Sequence, residues 1–144
     1  MKKCLVLIMV CLLILINAAN SSGGAVVEIR EKMFIAQCND IYLNPEEYAG
    51  KTIRIEGMYD EYTDEAGTVF RAVVRNGPGC CGNDGVAGFE FSCDGVPDCK
   101  PNDWISVEGI ISLSASDENG YNAIIIAQTT VTVKTERGME YVTQ

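Results

Sequence analysis

The hydrophobic pattern changes period once along the chain. Phe34, Ile35, Cys38, Ile41 and Tyr42 recur at helical spacing and share one face. Asn44-Pro45 stops that run, because the residue before a proline is pushed out of helical backbone. Residues 45–50 then read as a turn. From residue 52 onward the period is two. Residues 52–59 place Ile53, Ile55 and Tyr59 on one side, with Arg54 and Glu56 on the other. Residues 68–75 set Phe70, Ala72 and Val74 against Arg71, Val73 and Arg75, and the two arginines mark the second set as outward. Residues 86–91 carry Phe89 and Phe91 around Glu90. Residues 105–113 alternate Ile105, Val107, Ile111 and Leu113 against Ser106, Glu108 and Ser112. Residues 121–126 and 129–134 read as one last strand broken near Gln128. Turn-rich segments at 60–67, 76–85, 94–103 and 116–120 separate these runs.

One helix followed by five regularly spaced strands predicts a mainly β domain, a small barrel rather than a sandwich. A local echo supports closure: Ile53-Arg-Ile-Glu-Gly57-Met-Tyr59 matches Ile105-Ser-Val-Glu-Gly109-Ile-Ile111 in pattern. In both, glycine stands where an inward residue belongs. Glycine inside a strand marks a bulge or bend, the device a small barrel needs to turn its sheet. The expected architecture is therefore a five-stranded barrel of the oligonucleotide/oligosaccharide-binding (OB) type over residues 33–144, preceded by one short helix, with residues 22–32 as a lead-in.

The N-terminus carries a second pattern. Lys2 and Lys3 precede an unbroken apolar run over residues 5–16, and small or polar residues follow it. These are the parts of a secretory signal peptide, and the run falls short of the roughly 20 apolar residues that span a bilayer. Small residues at Ala19 and Ser21 place the expected cut after Ser21, which predicts a secreted or cell-surface protein. An uncleaved membrane anchor is the alternative. Of 11 basic and 20 acidic residues, only Lys2 and Lys3 leave with residues 1–21, so 9 basic and 20 acidic remain, a net −11. Such a balance opposes nucleic acid, where lysine and arginine must neutralise phosphates. The chain has no histidine. That excludes serine-histidine and cysteine-histidine nucleophile systems, and with no other acid/base set in view the protein is expected not to be an enzyme.

Seven cysteines become five once Cys4 and Cys11 are removed: Cys38, Cys80, Cys81, Cys93 and Cys99. Residues 76–85 read Asn-Gly-Pro-Gly-Cys-Cys-Gly-Asn-Asp-Gly. Hairpin chemistry explains one or two of the glycines but does not require adjacent cysteines. Neighbouring Cα atoms lie about 3.8 Å apart, below the separation of roughly 4.4–6.8 Å usual for a disulfide. Gly79 and Gly82 relax the backbone enough for a turn to bring both sulfurs to one side. Cys80, Cys81 and Asp84 are thus candidate ligands for a soft cation such as zinc or Cu(I), with Cys93 or Cys99 as further donors. The competing reading is structural: Cys93 and Cys99 close a small loop, or Cys80 or Cys81 pairs with Cys38 or with that loop. The acidic run at residues 60–65 lacks the spacing of a calcium loop and reads as a solvated hairpin tip. Trp104 reads as a core anchor.

Glu31-Lys-Met-Phe34, Ile41-Tyr-Leu-Asn-Pro45, Tyr48-Ala-Gly-Lys51, Gly77-Pro-Gly-Cys-Cys-Gly-Asn-Asp84 and Asp103-Trp104 together resemble a bacterial family of uncharacterised proteins described as permease subunits. The resemblance spans residues 26–143. It implies an OB-like soluble domain whose Cys-Cys-x-x-Asp motif falls on Cys80, Cys81 and Asp84, and a permease-like membrane partner. Longer members carry membrane helices before the barrel. Here only residues 5–16 are comparable, which favours an exported, stand-alone domain: a binding module that holds a metal ion or docks a membrane partner through the cysteine loop, or else a disulfide-stapled interaction domain.

Overall fold

The computed structural model describes residues 24–80, 82–95, 97–114 and 123–143. The expected signal peptide, Cys81 and the 116–120 turn lie outside these. Helix α1, Phe34–Leu43, buries Phe34, Cys38 and Ile41, the stripe that the helical spacing predicts. Asn44 ends it with its side chain, whose Nδ2 donates to Asp40 Oδ1 at 2.8 Å and to the Asp40 carbonyl at 3.2 Å. The expected turn after it contains one short helical turn, α2 (Pro45–Tyr48), with proline at the first position, where its missing N–H is no loss. Among the described residues no helix is long and apolar enough to cross a membrane.

Six strands form one mixed sheet: β1 (Val27–Glu28), β2 (Thr52–Thr63), β3 (Val69–Gly79), β4 (Gly82–Phe91), β5 (Trp104–Leu113) and β6 (Ile124–Val133). The pairing order is β1-β2-β3-β4-β6-β5, and β2 also pairs with β5. This corrects the expected clean five-stranded barrel in two places. Residues 27 and 28 of the lead-in add a parallel strand against Ile53 and Arg54, and the parallel β4–β6 seam holds through two residue pairs only. Strand β2 is the hinge of the arrangement. Its first half pairs with β5, its second with β3, and Met58 partners both Trp104 and Val74 at the changeover.

Both echoed glycines stand where a neighbouring strand's backbone leaves no space for a side chain. A Cβ on Gly57 would lie 2.5 Å from the Val74 carbonyl oxygen, and one on Gly109 would lie 2.6 Å from that of Ala127. Opposite Gly109 the β5–β6 register slips between Glu108 and Ile110, and Gln128 takes a φ of +52°. The break expected near Gln128 is therefore a bulge within one strand.

Strand β3 reverses the expected faces. Val73 is fully buried and Arg75 is 2% exposed, so the set containing the arginines points inward. Arg75 is accommodated because every part of it is matched. Its Nη1 lies 3.1 Å from Glu31 Oε2 and donates to the Met139 carbonyl at 3.0 Å, and its Nε donates to the Glu56 carbonyl at 2.8 Å. The guanidinium lies 4.8 Å from the ring centres of both Phe34 and Trp104. Trp104 is the expected anchor, 2% exposed, and also receives Arg137 at 5.4 Å.

The same cluster fastens both ends of the chain. Glu31 Oε2 accepts from the Met139 amide at 2.7 Å. The Asn76 amide donates to the Glu140 carbonyl, the Val142 amide donates to the Asn76 carbonyl, and Val142 enters the core.

Candidate functional site

Strands β3 and β4 continue through most of the segment expected to be a turn. Gly77 pairs with Gly85 and Gly79 with Gly82, leaving only positions 80 and 81 at the tip. Two steps on β3 face three on β4, so a bulge on β4 falls between Gly82 and Gly85. The glycines are required by crowding across the hairpin. A Cβ on Gly85 would lie 2.4 Å from the Pro78 carbonyl oxygen. One on Gly77 would lie 3.0 Å from Ile35 Cδ1 and 3.4 Å from the Val142 carbonyl oxygen. The root of the hairpin is thus clamped between α1 and the C-terminal segment.

Two of the three candidate ligands stand close to the tip. Cys80 is exposed at the turn. The Asp84 carboxylate folds over Gly79, where a Cβ would fall 2.1 Å from Asp84 Oδ1. This sets a hard oxygen donor beside the residue that precedes Cys80. Cys81, next in sequence, lies outside the described residues. Among the described residues alone, no group of three acidic or cysteine side chains is placed to hold a metal ion.

The other cysteines stand elsewhere. Cys38 is 2% exposed under α1, and burial pushes its thiol up to about 12, with Arg75 pulling the other way. A thiol so held is neither a ready ligand nor a nucleophile. Cys93 and Cys99 lie beyond the far end of β4. From Gly82 to Phe91 a strand advances about 30 Å at roughly 3.3 Å per residue, well outside disulfide or shared-ligand reach of the tip. The two are neighbours of each other. Both pack against the core, and Cys93 Sγ donates to the Gly95 carbonyl at 3.3 Å. Burial raises the Cys99 pKa, and Asp103, Cys93, Glu61 and Asp98 raise it further. The acidic run at residues 60–65 forms the end of β2 and its turn, where Asp64 Oδ1 accepts from the Ala66 and Thr68 amides.

Sequence reasoning missed the Arg75–Glu31 cluster, although it supports the root of this hairpin. A single signal was present: an arginine at an alternating position beside fully apolar Val73. Residues 17–143 match the DUF1980 C-terminal domain, and the chain belongs to that uncharacterised family. No curated protein matches.

Proposed function

We propose that this DUF1980 domain is an exported, non-enzymatic binding module of OB-like build, which captures a thiophilic cation at its β3–β4 hairpin tip. One observation carries the reading: Cys80 is exposed at the hairpin tip, and the Asp84 carboxylate is folded back over Gly79, the residue before it. Cys80 and Cys81 supply thiolates and Asp84 an oxygen, a donor set that suits zinc with one position left to water or to a partner, and the sulfurs alone suit Cu(I). The OB-like part is supported by the pairing that runs β2-β3-β4-β6-β5 and returns to β2. Lack of histidine supports a role in binding rather than turnover. A permease-like membrane protein is the partner that the exposed tip would meet.

The second reading, a disulfide-stapled interaction domain, is favoured by the proximity of Cys93 to Cys99. Zinc titration of the full chain against a chromophoric chelator distinguishes the two. Cys80→Ser and Cys81→Ser should each abolish binding, Asp84→Ala should weaken it, and Cys38→Ala should leave it unchanged. Affinity should fall with pH as protons compete for sulfur. Sub-stoichiometric metal in natively exported protein, with mapped disulfides from both Cys80 and Cys81, overturns the metal reading.

A further inference from the structure

At the opposite end of β4 from the cysteine hairpin lie two depressions, of about 430 and 200 Å³, that share Ser92 and Cys93 as a common wall. They arise where the sheet parts. Strand β4 ends at Phe91, and the chain turns from β3 toward β6, the Ser92 amide donating to the Ile126 carbonyl and Thr129 Oγ1 to the Ser92 carbonyl. One depression is lined by Phe70, Arg71 and Glu90, the other by Asp94, Gln128 and Thr129.

We infer that these two adjoining depressions form a second binding cleft, and that it takes a neutral oligosaccharide. Its side chains are those that read sugars. Phe70 stacks on Tyr62 with ring centres 4.9 Å apart and planes 8° from parallel, a flat platform at the rim. Aromatic faces are electron-rich and attract the polarised C–H groups of a pyranose. Glu90, Arg71, Asp94 and Gln128 each present paired planar donors or acceptors, which match vicinal hydroxyls. The Glu90 carboxylate is already positioned, since Tyr62 Oη donates to its Oε1, and the residue lines the smaller depression. Arg71 is half-buried: its side chain hydrogen-bonds Tyr59, while its Nε has no hydrogen-bond partner, which leaves one donor of the guanidinium unused beside the cleft.

Charge selects the class. Two carboxylates and one guanidinium line the cleft of a protein that carries −9 overall, so a polyanion is repelled. A polar depression of about 390 Å³ on another face differs in that its charges are already matched among themselves, Arg54 with Glu28 and Glu108, and Lys134 with Glu56.

The backbone supplies an independent observation. Gln128 sits in left-handed conformation at the β6 bulge, where glycine would be relaxed and other side chains are uncommon. A strained position that keeps a long amide beside a cleft fits a side chain used for contact.

The test is amide chemical-shift mapping of the full chain. The probes are neutral tetrasaccharides built from glucose, mannose, galactose or N-acetylglucosamine, at about 10 mM so that millimolar binding registers. At least one should shift amides at 68–71, 90–94 and 127–129. Gln128→Gly should weaken that sugar about tenfold while the unfolding midpoint holds or rises, a split that a merely structural glutamine would not give. Cys80→Ser should leave the sugar response intact, which separates this site from the metal site. The inference is overturned if no tetrasaccharide shifts these amides, if Gln128→Gly binds as well as the parent, or if a heparin-derived tetrasaccharide binds there more tightly than any neutral one.

Discussion

Arg71 and Arg75 stand four residues apart on one strand and on the same inward side, yet their surroundings are opposite. Arg75 is enclosed. Two rings, one carboxylate and two carbonyls meet its guanidinium, and it is 2% exposed. Arg71 is half-buried at the cleft mouth, with its Nε unmatched. The difference follows from what covers each end of β3. Around Arg75 the lead-in, α1 and the C-terminal segment converge; Arg71 stands where the sheet parts, against Tyr59 and the end of β4. A buried cation held by two rings, a carboxylate and two carbonyls is a fastening, and a partly matched one at an opening is available to a ligand.

Substitution at the closed end should have the largest effect. Arg75→Ala opens a cavity between Phe34 and Trp104 and strands the Glu56 and Met139 carbonyls. We expect a loss of about 3 kcal/mol in urea denaturation, the lower part of the range for breaking a buried pair because Glu31 keeps partial access to water. A loss under about 1 kcal/mol would mean that the rings alone hold this end together.

A smaller effect is expected from acid. The Met139 amide, and then Arg75, hold the Glu31 carboxyl below its ordinary value of 4.5. A depressed carboxyl contributes stability that is fully present above the unfolded pKa and lost as pH falls through the folded one. The contribution should therefore be intact at neutral pH and disappear below about pH 4.5. With its side chain 40% exposed, Glu31 is screened, and the amount should stay under about 1 kcal/mol. Glu31→Gln should flatten this part of the acid limb, and an identical limb in that variant would detach Glu31 from the fastening.

The smallest effect belongs to the open end. Arg71→Ala should change stability by less than about 1 kcal/mol, because it gives up one side-chain hydrogen bond, to Tyr59, and removes a buried Nε that has no partner. A penalty equal to that of Arg75→Ala would erase the contrast between the two ends.

Much of the fold was legible locally. The stripe of Phe34, Cys38 and Ile41, the need for glycine at 57 and 109 and the break near Gln128 all follow from spacing and glycine placement. The inward face of β3 was not legible, because both of its alternating sets mix apolar and long side chains. What settles the matter for Arg75 is supplied by Glu31 and Met139, 44 and 64 residues away. The cysteine hairpin was legible as chemistry but not as structure. Glycine and proline read as turn, whereas each glycine at 77, 79 and 85 occupies a point where a neighbour already fills its Cβ position. Strand β1 escaped because two residues carry no alternation. The cleft escaped because its residues come from three separate segments, at 68–71, 90–94 and 125–129.

The meeting of Glu31 with Met139 has a mechanical consequence. Tension applied between residues 24 and 143 would not be shared by the whole sheet. From residue 143 it would first peel Val142 and its pairing with Asn76, then load the 2.7 Å bond between the Glu31 carboxylate and the Met139 amide, while from residue 24 it would first meet the short β1 pairing with Ile53 and Arg54. The segment peeled first is the one that clamps Gly77, so a pull on the chain ends would loosen the cysteine hairpin at its root while the rest of the domain stayed folded.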